Sequence, residues 1–313
     1  VILAFLPTVG RAAPVLSAPY NSSYTLTSLG SVAGVPPLYG GLTFKQGDPN
    51  TMLLGGFANA SGGSIYSIGV VRDAMNHITG FSGTASLFAT APFIDGGLDY
   101  GPGGVLFATG FPNNTLMQFK PGSTTPDKTI DLTALGFSSS VGTLAFVPAG
   151  QPGAGGLKIA VYNTGDFYDV TLTADGSGTY DILSKTLVTT LPGGPEGLIY
   201  VPSGSPLFTG PTMLVSEYSA GLVGAYDVDA SGNPILASRR DFMTGLTGAE
   251  GAVIDPLTGD FLFSTFGGGD QIFRVTGFST PVTAVPEPST LGLAAVAVAG
   301  GVLAGRRQRR RSR

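Results

Sequence analysis

Five copies of one short apolar pattern recur along the chain, and together they leave few folds open to it. The pattern reads Gly41-Leu42-Thr43-Phe44, Gly97-Leu98-Asp99-Tyr100, Thr143-Leu144-Ala145-Phe146, Gly197-Leu198-Ile199-Tyr200 and Gly251-Ala252-Val253-Ile254. Its fourth positions (44, 100, 146, 200, 254) are spaced by 56, 46, 54 and 54 residues, with Pro49, Pro102, Pro148, Pro202 or Pro256 close behind. A second apolar run follows each copy: Met52-Leu53-Leu54, Val105-Leu106-Phe107, Leu157 to Val161, Met213-Leu214-Val215 and Phe261-Leu262-Phe263. After a turn, a third run pairs apolar and aromatic residues, as in Ile65-Tyr66-Ser67-Ile68, Leu116 to Phe119, Phe167 to Val170, Ala225 to Val228 and Ile272 to Val275. Alternation with a period of two is the mark of strands. Fourth strands are less regular; Ile182 to Val188 and Ile235 to Phe242 follow turn-rich stretches whose Gly, Asn and Asp tolerate positive φ.

Four short strands every ~45–55 residues define a β-propeller blade, which cannot bury both faces alone and therefore stacks around an axis. The sequence thus predicts an all-β protein, a propeller of about five four-stranded blades. Six blades, or a β-sandwich, are the alternatives. The last copy stops after its third strand, while an unassigned strand, Ser23 to Val32, precedes the first. That arrangement predicts ring closure by the N-terminal strand. Abundant glycine and proline (49 and 23 residues) fit many tight turns.

Composition narrows the chemistry. The chain has no cysteine, one histidine and no tryptophan, which excludes disulfides, thiolate catalysis and Cys-based zinc sites. Residues 1–305 hold ten basic and twenty acidic residues, whereas the last eight residues hold six arginines and no acid. So acidic a body should repel nucleic acid.

The two ends read as targeting segments. Val1 to Val9 is apolar and leads to Gly10-Arg11-Ala12-Ala13, like the core and cleavage region of a secretory signal peptide. Residues 1–18 are read as its remnant, cut after Ala13 or Ala18, and 19–280 as the propeller body. Residues 281–290 form a linker containing Pro286-Glu287-Pro288, whose prolines keep it extended. Leu291 to Gly305 is uncharged and suits a transmembrane helix, at ~22 Å short of the ~30 Å hydrocarbon core. Arg306, Arg307, Arg309, Arg310 and Arg311 then hold the 306–313 tail in the cytoplasm and the body outside. This order of motif, apolar segment and arginines resembles the PEP-CTERM sorting signal of exported bacterial proteins. The resemblance implies an exosortase as processing partner, a transient stay in the inner membrane of a Gram-negative cell, and a link with exopolysaccharide, biofilm or floc formation.

Candidate chemistry lies just before the first strand of three copies, at Asp95, Glu196 and Glu250. The stretch Pro195-Glu196-Gly197-Leu198-Ile199-Tyr200 is similar to the inner-strand signature of lactonase-type propellers. There, an acid at this point can ligate a divalent metal at the channel mouth. Converging carboxylates would suit Ca²⁺ or Mg²⁺, which prefer hard oxygen ligands. A second set, Asn163, Glu217 and Asp270, sits near the second-strand turns. Asp227 to Gly232 begins like a calcium loop, but Ser238 stands where the loop needs Glu, so a hairpin turn is expected. His77 has no partner at ligand spacing and reads as a surface residue. The sequons at Asn21, Asn59 and Asn113 read as accidental in a bacterial chain. With no evident nucleophile, the expectation is an exported, non-catalytic surface or matrix protein. The alternative is a secreted, metal-dependent lactonase-type hydrolase.

Overall fold

In a computed structural model, which describes residues 13–281, the five repeats become five four-stranded antiparallel sheets. Blade 1 comprises Leu42–Phe44, Thr51–Gly56, Ser64–Arg72 and Ile78–Thr90. Blade 2 comprises Ile94–Tyr100, Leu106–Gly110, Thr115–Phe119 and Lys128–Asp131. Blade 3 runs through Val141–Phe146, Leu157–Val161, Asp166–Ala174 and Tyr180–Thr190, and blade 4 through Pro195–Tyr200, Thr212–Glu217, Leu222–Asp227 and Arg240–Thr244. Blade 5 is Ala249–Ile254, Phe261–Thr265 and Ile272–Thr276, completed by Thr25–Gly30 from the start of the chain. The predicted closure is therefore present, with Leu26 opposite Val275 and Thr27 opposite Arg274. Innermost strands of successive blades touch one another, and those of blades 5 and 1 do so as well, so the ring is closed.

Why the chain stacks this way is visible in the second strands, which are buried on both faces. Met52 and Leu54 pack toward blade 5, with Leu262 and Ile272, while Leu53 between them packs toward blade 2, with Leu98 and Leu106. Blade 4 repeats the division: Leu214 joins Phe261 and Phe263 of blade 5, and Met213 and Val215 join Ala160 and Phe167 of blade 3. A fifth cluster, around Phe107, Leu144 and Ile159, seals blades 2 and 3. One apolar cluster thus fills each of the five interfaces, which a two-layer sandwich would not produce.

Two features go beyond the sequence reading. Val15–Leu16, within the expected signal remnant, pairs with Thr244 and Met243 and gives blade 4 a fifth strand. His77, read as a surface residue, instead places Nδ1 2.7 Å from Oδ2 of the buried Asp260, fastening the outer hairpin of blade 1 to blade 5. Ring closure brings together residues 183 positions apart, which no local spacing announces. The expected hairpin at Asp227 to Gly232 is present: Asp229 Oδ1 accepts from the amides of Ser231 and Asn233. Residues 1–12, the Pro286-Glu287-Pro288 motif, the 291–305 helix and the arginine tail lie outside the described residues. Among the described residues, no helix is long and apolar enough to cross a membrane.

Candidate functional site

In four of the five blades, all but that of Leu42–Phe44, the innermost strand carries a backbone irregularity. Opposite the second strand, the register slips between Ile94 and Leu98, between Pro195 and Gly197, and between Ala249 and Ala252. A bulge of this kind re-aims the side chain it carries. The residues carried here are Asp95, Glu196 and Glu250. From three different blades, each offers a carboxylate oxygen, and the three oxygens lie within 4.8 Å of one another. All three residues are at least 96% buried. The acids are therefore neither splayed apart nor solvated, and the sequence-predicted set does come together.

Space for the cluster is made by glycines in the neighbouring blades. A Cβ built on Gly96 would stand 2.9 Å from Glu196 Oε2 and collide with the Glu196 carbonyl oxygen; one on Gly142 would stand 2.7 Å from the same Oε2. Hydroxyls on the second strands fix these glycine backbones. Thr109 Oγ1 donates to the Gly142 carbonyl at 2.8 Å and accepts from the Gly97 amide at 2.9 Å, and Ser264 Oγ donates to the Gly40 carbonyl at 2.7 Å.

The electrostatics are unfavourable as they stand. Burial pushes all three carboxyls well above the usual range, and neighbouring charge adds to the rise at Glu196 and Glu250. Asn59 and the Gly96 amide partly oppose it at Asp95, which also lies within hydrogen-bond reach of Glu250. Asp95 Oδ2, Glu196 Oε2, Glu250 Oε1 and Asn59 Oδ1 are buried and accept no hydrogen bond from the described residues. Such groups take up protons or hold a cation.

Above the carboxylates lies a feature the sequence reading missed. The residue immediately after the second strand is aromatic in every blade: Phe57, Phe111, Tyr162, Tyr218 and Phe266. Four of them, with Asn59, Glu196 and Glu250, line a pocket of about 270 Å³. Their rings run edge-to-face around the mouth, with centroids 5.8 Å apart from Phe111 to Tyr162, 5.8 Å from Tyr162 to Tyr218 and 6.1 Å from Tyr218 to Phe266. Phe57 is the exception; with φ of 53° it turns over Gly62, and Asn59 takes its place in the pocket wall. Farther along the axis, Leu98, Leu144, Leu198 and Ala252 occupy one register position of four inner strands and line a separate cavity of about 140 Å³.

The second sequence-predicted set does not assemble. Glu217 is buried beneath Arg239, whose Nε and Nη2 lie 2.9 and 2.7 Å from its oxygens, and it accepts from the Tyr226 hydroxyl at 2.5 Å. Asp270 accepts from the Leu38 amide at 2.9 Å within a turn, and Asn163 is exposed.

Residues 284–311 match the family model described as the PEP-CTERM protein-sorting motif. That motif implies export and a membrane-anchored precursor. No curated protein matches the chain in sequence. Among solved structures, it is similar to a putative phosphatase from Bacteroides thetaiotaomicron (13% identity, 76% of this chain and 60% of that one, TM-score 0.45), so it spans about three fifths of that protein. It is also similar to an auxiliary nutrient binding protein from Bacteroides ovatus (9% identity, 81% and 76%, TM-score 0.46) and to a putative 6-phosphogluconolactonase from Bacteroides uniformis (14% identity, 72% and 63%, TM-score 0.40). At such likeness, nothing that these proteins bind or act on transfers to this chain.

Proposed function

We propose that this protein is an exported, non-catalytic binding propeller, cut from its membrane anchor by an exosortase and placed at the cell surface or in the extracellular matrix. In this reading Pro286, Glu287 and Pro288 are the recognition motif and the arginines 306–313 hold the precursor for cleavage. Exopolysaccharide is the matrix setting that the tail suggests. A leader cut after Ala13 would leave Val15–Leu16 on blade 4, whereas a cut after Ala18 would remove it. The mouth pocket is the binding site, and its ligand is cationic. One observation carries this: three buried carboxylates, with no basic side chain paired to them among the described residues, share a point within 4.8 Å.

The same observation supports a second reading. Oxygens within 4.8 Å fit around a Ca²⁺ whose bonds are ~2.3–2.6 Å long, and Asn59 Oδ1 is a fourth donor. A lactonase-type enzyme needs a base as well, and every acid lining the pocket already belongs to the cluster.

Two measurements test the proposal. Mass spectrometry of the surface-exposed protein should find a C-terminus near Pro288 in cells with the sorting enzyme; an intact Arg313 there sinks the sorting half. Thermal melts at pH 7.5 with a panel of metal and organic cations should show stabilisation by at least one, since a ligand that binds only the folded state raises its melting temperature. Indifference to all of them sinks the binding half.

A further inference from the structure

We infer that the mouth pocket recognises an organic ammonium ion, the positively charged head of an amine-bearing ligand, in preference to a bare metal ion. This rests on the reading of the triad as a cation site. The wall of the pocket makes the distinction. A hard divalent ion wants about six to eight oxygen ligands in a polar shell, whereas this pocket offers carboxylates and the Asn59 amide on one side and four aromatic rings elsewhere, of which Tyr162 and Tyr218 alone carry an oxygen. Phe111, Tyr162, Tyr218 and Phe266 are each half-buried, so part of every ring is open to the pocket. The π face of an aromatic ring attracts a cation, and a cage of such rings suits a charge spread over methyl or methylene groups, which lose little hydration on entering. About 270 Å³ is far more than the ~10–15 Å³ that one water requires, so the chamber admits a polyatomic head.

The chain of rings is also built rather than incidental. All five blades put an aromatic at the same point, and three successive edge-to-face contacts brace four of them.

Calorimetric titration of the intact chain with choline and tetramethylammonium chloride, and separately with CaCl₂, at pH 7.5 and low salt decides the matter. We expect both organic ions to bind and 1 mM-range Ca²⁺ (on the order of common extracellular site affinities) to displace neither. Phe111→Leu and Phe266→Leu should each weaken choline by roughly 2- to 30-fold, the span expected for one cation–π contact. Phe266→Tyr, which keeps a π face, should hold affinity close to that of the parent, and unchanged melting temperatures will show that the variants fold. Glu196→Gln should weaken every cation. If Ca²⁺ binds while the organic ions do not, and the leucine variants bind Ca²⁺ like the parent, the inference is overturned but the cation site stands. If nothing binds, both fall.

Discussion

Neutralising one member of the triad should stabilise the ligand-free protein at neutral pH, although it replaces a carboxyl at a functional position. At separations within 4.8 Å and an effective dielectric of about 20, each ionised pair repels by at least ~3.5 kcal/mol, so three charges together cost roughly 10 kcal/mol. That is comparable with the whole stability of a typical domain, ~5–15 kcal/mol, so the free protein escapes by protonating the cluster. Holding a glutamate protonated at pH 7.5 costs ~4 kcal/mol, which sets the upper limit for relief by Glu250→Gln. Water penetration and relaxation reduce this, and we expect about 2–4 kcal/mol, or roughly 4–16 °C in melting temperature for a body of this size. The pH dependence carries the same sign. A carboxyl with a raised folded value binds its proton more tightly folded than unfolded, so its advantage is complete below about pH 4 and is lost as pH rises toward the folded value. The assay is differential scanning calorimetry of EDTA-treated parent and variant at pH 4.5 and 7.5. The variant should gain at pH 7.5 and nearly coincide with the parent at pH 4.5. A variant less stable than the parent at pH 7.5, or a gap that ignores pH, would refute the repulsive-cluster account.

Two further outcomes follow from the ring. Arg72 Nη1 and Nη2 grip the fully buried Asp255 at 2.6 and 3.1 Å, so Arg72→Met should cost ~3–5 kcal/mol in urea unfolding by stranding a buried charge, and a loss below 1 kcal/mol would contradict that role. Leu26→Pro removes an amide from the closing strand opposite Val275 and should turn one cooperative melt into a broad one by opening blade 5; a single sharp transition near the parent temperature would show that closure does not hold the ring.

Much of the fold was legible because second strands buried on both faces read as continuous apolar runs, and third strands alternate. Fourth strands were read only in part: Ile182 to Val188 lies within Tyr180–Thr190, whereas Ile235 to Phe242 covers a 3-10 turn at Leu236–Ser238 and only the start of the strand Arg240–Thr244. In blade 1, Ile78–Thr90 is broken by Gly80 and Gly83 and slips register against its neighbour three times. In blade 2, Lys128–Asp131 is four residues long and exposed on alternate positions, so it carries little apolar signal. The acids of the site were readable as residues that precede a glycine. Their convergence was not, since it depends on bulges that aim them and on Gly96 and Gly142 standing aside. The aromatic collar was missed although its signal was present: one aromatic directly after the second strand, five times over. In sequence each looks like the end of a strand, and only closing the ring shows that four of them face a common pocket. His77 and Asp260 were unreadable for the same reason, since blades 1 and 5 become neighbours only through the closing strand.

The other buried acids of the same molecule are partnered in a way that the triad is not. Glu217 is fully buried and lies under the Arg239 guanidinium with a tyrosine hydroxyl donating to it. Asp255 is fully buried and is gripped by Arg72, with the Thr258 hydroxyl and the Leu257 amide also donating. Asp260 has His77. Each of these three carboxylates has a basic side chain from a neighbouring strand or blade, and Asp99, pushed up to about 6 by burial, has the Phe146 and Tyr100 amides donating to it, as the cost of desolvating a charge demands. At the channel mouth the chain buries three carboxylates side by side, supplies no basic residue among the described residues, and lines the pocket beside them with rings that attract positive charge. Farther along the same axis the inner strands present Leu98, Leu144 and Leu198, and the acid of that cavity, Asp99, is satisfied by the Tyr100 and Phe146 amides. The missing positive charge must then come from protons or from outside, and a pocket open to solvent above the cluster gives an outside cation its route.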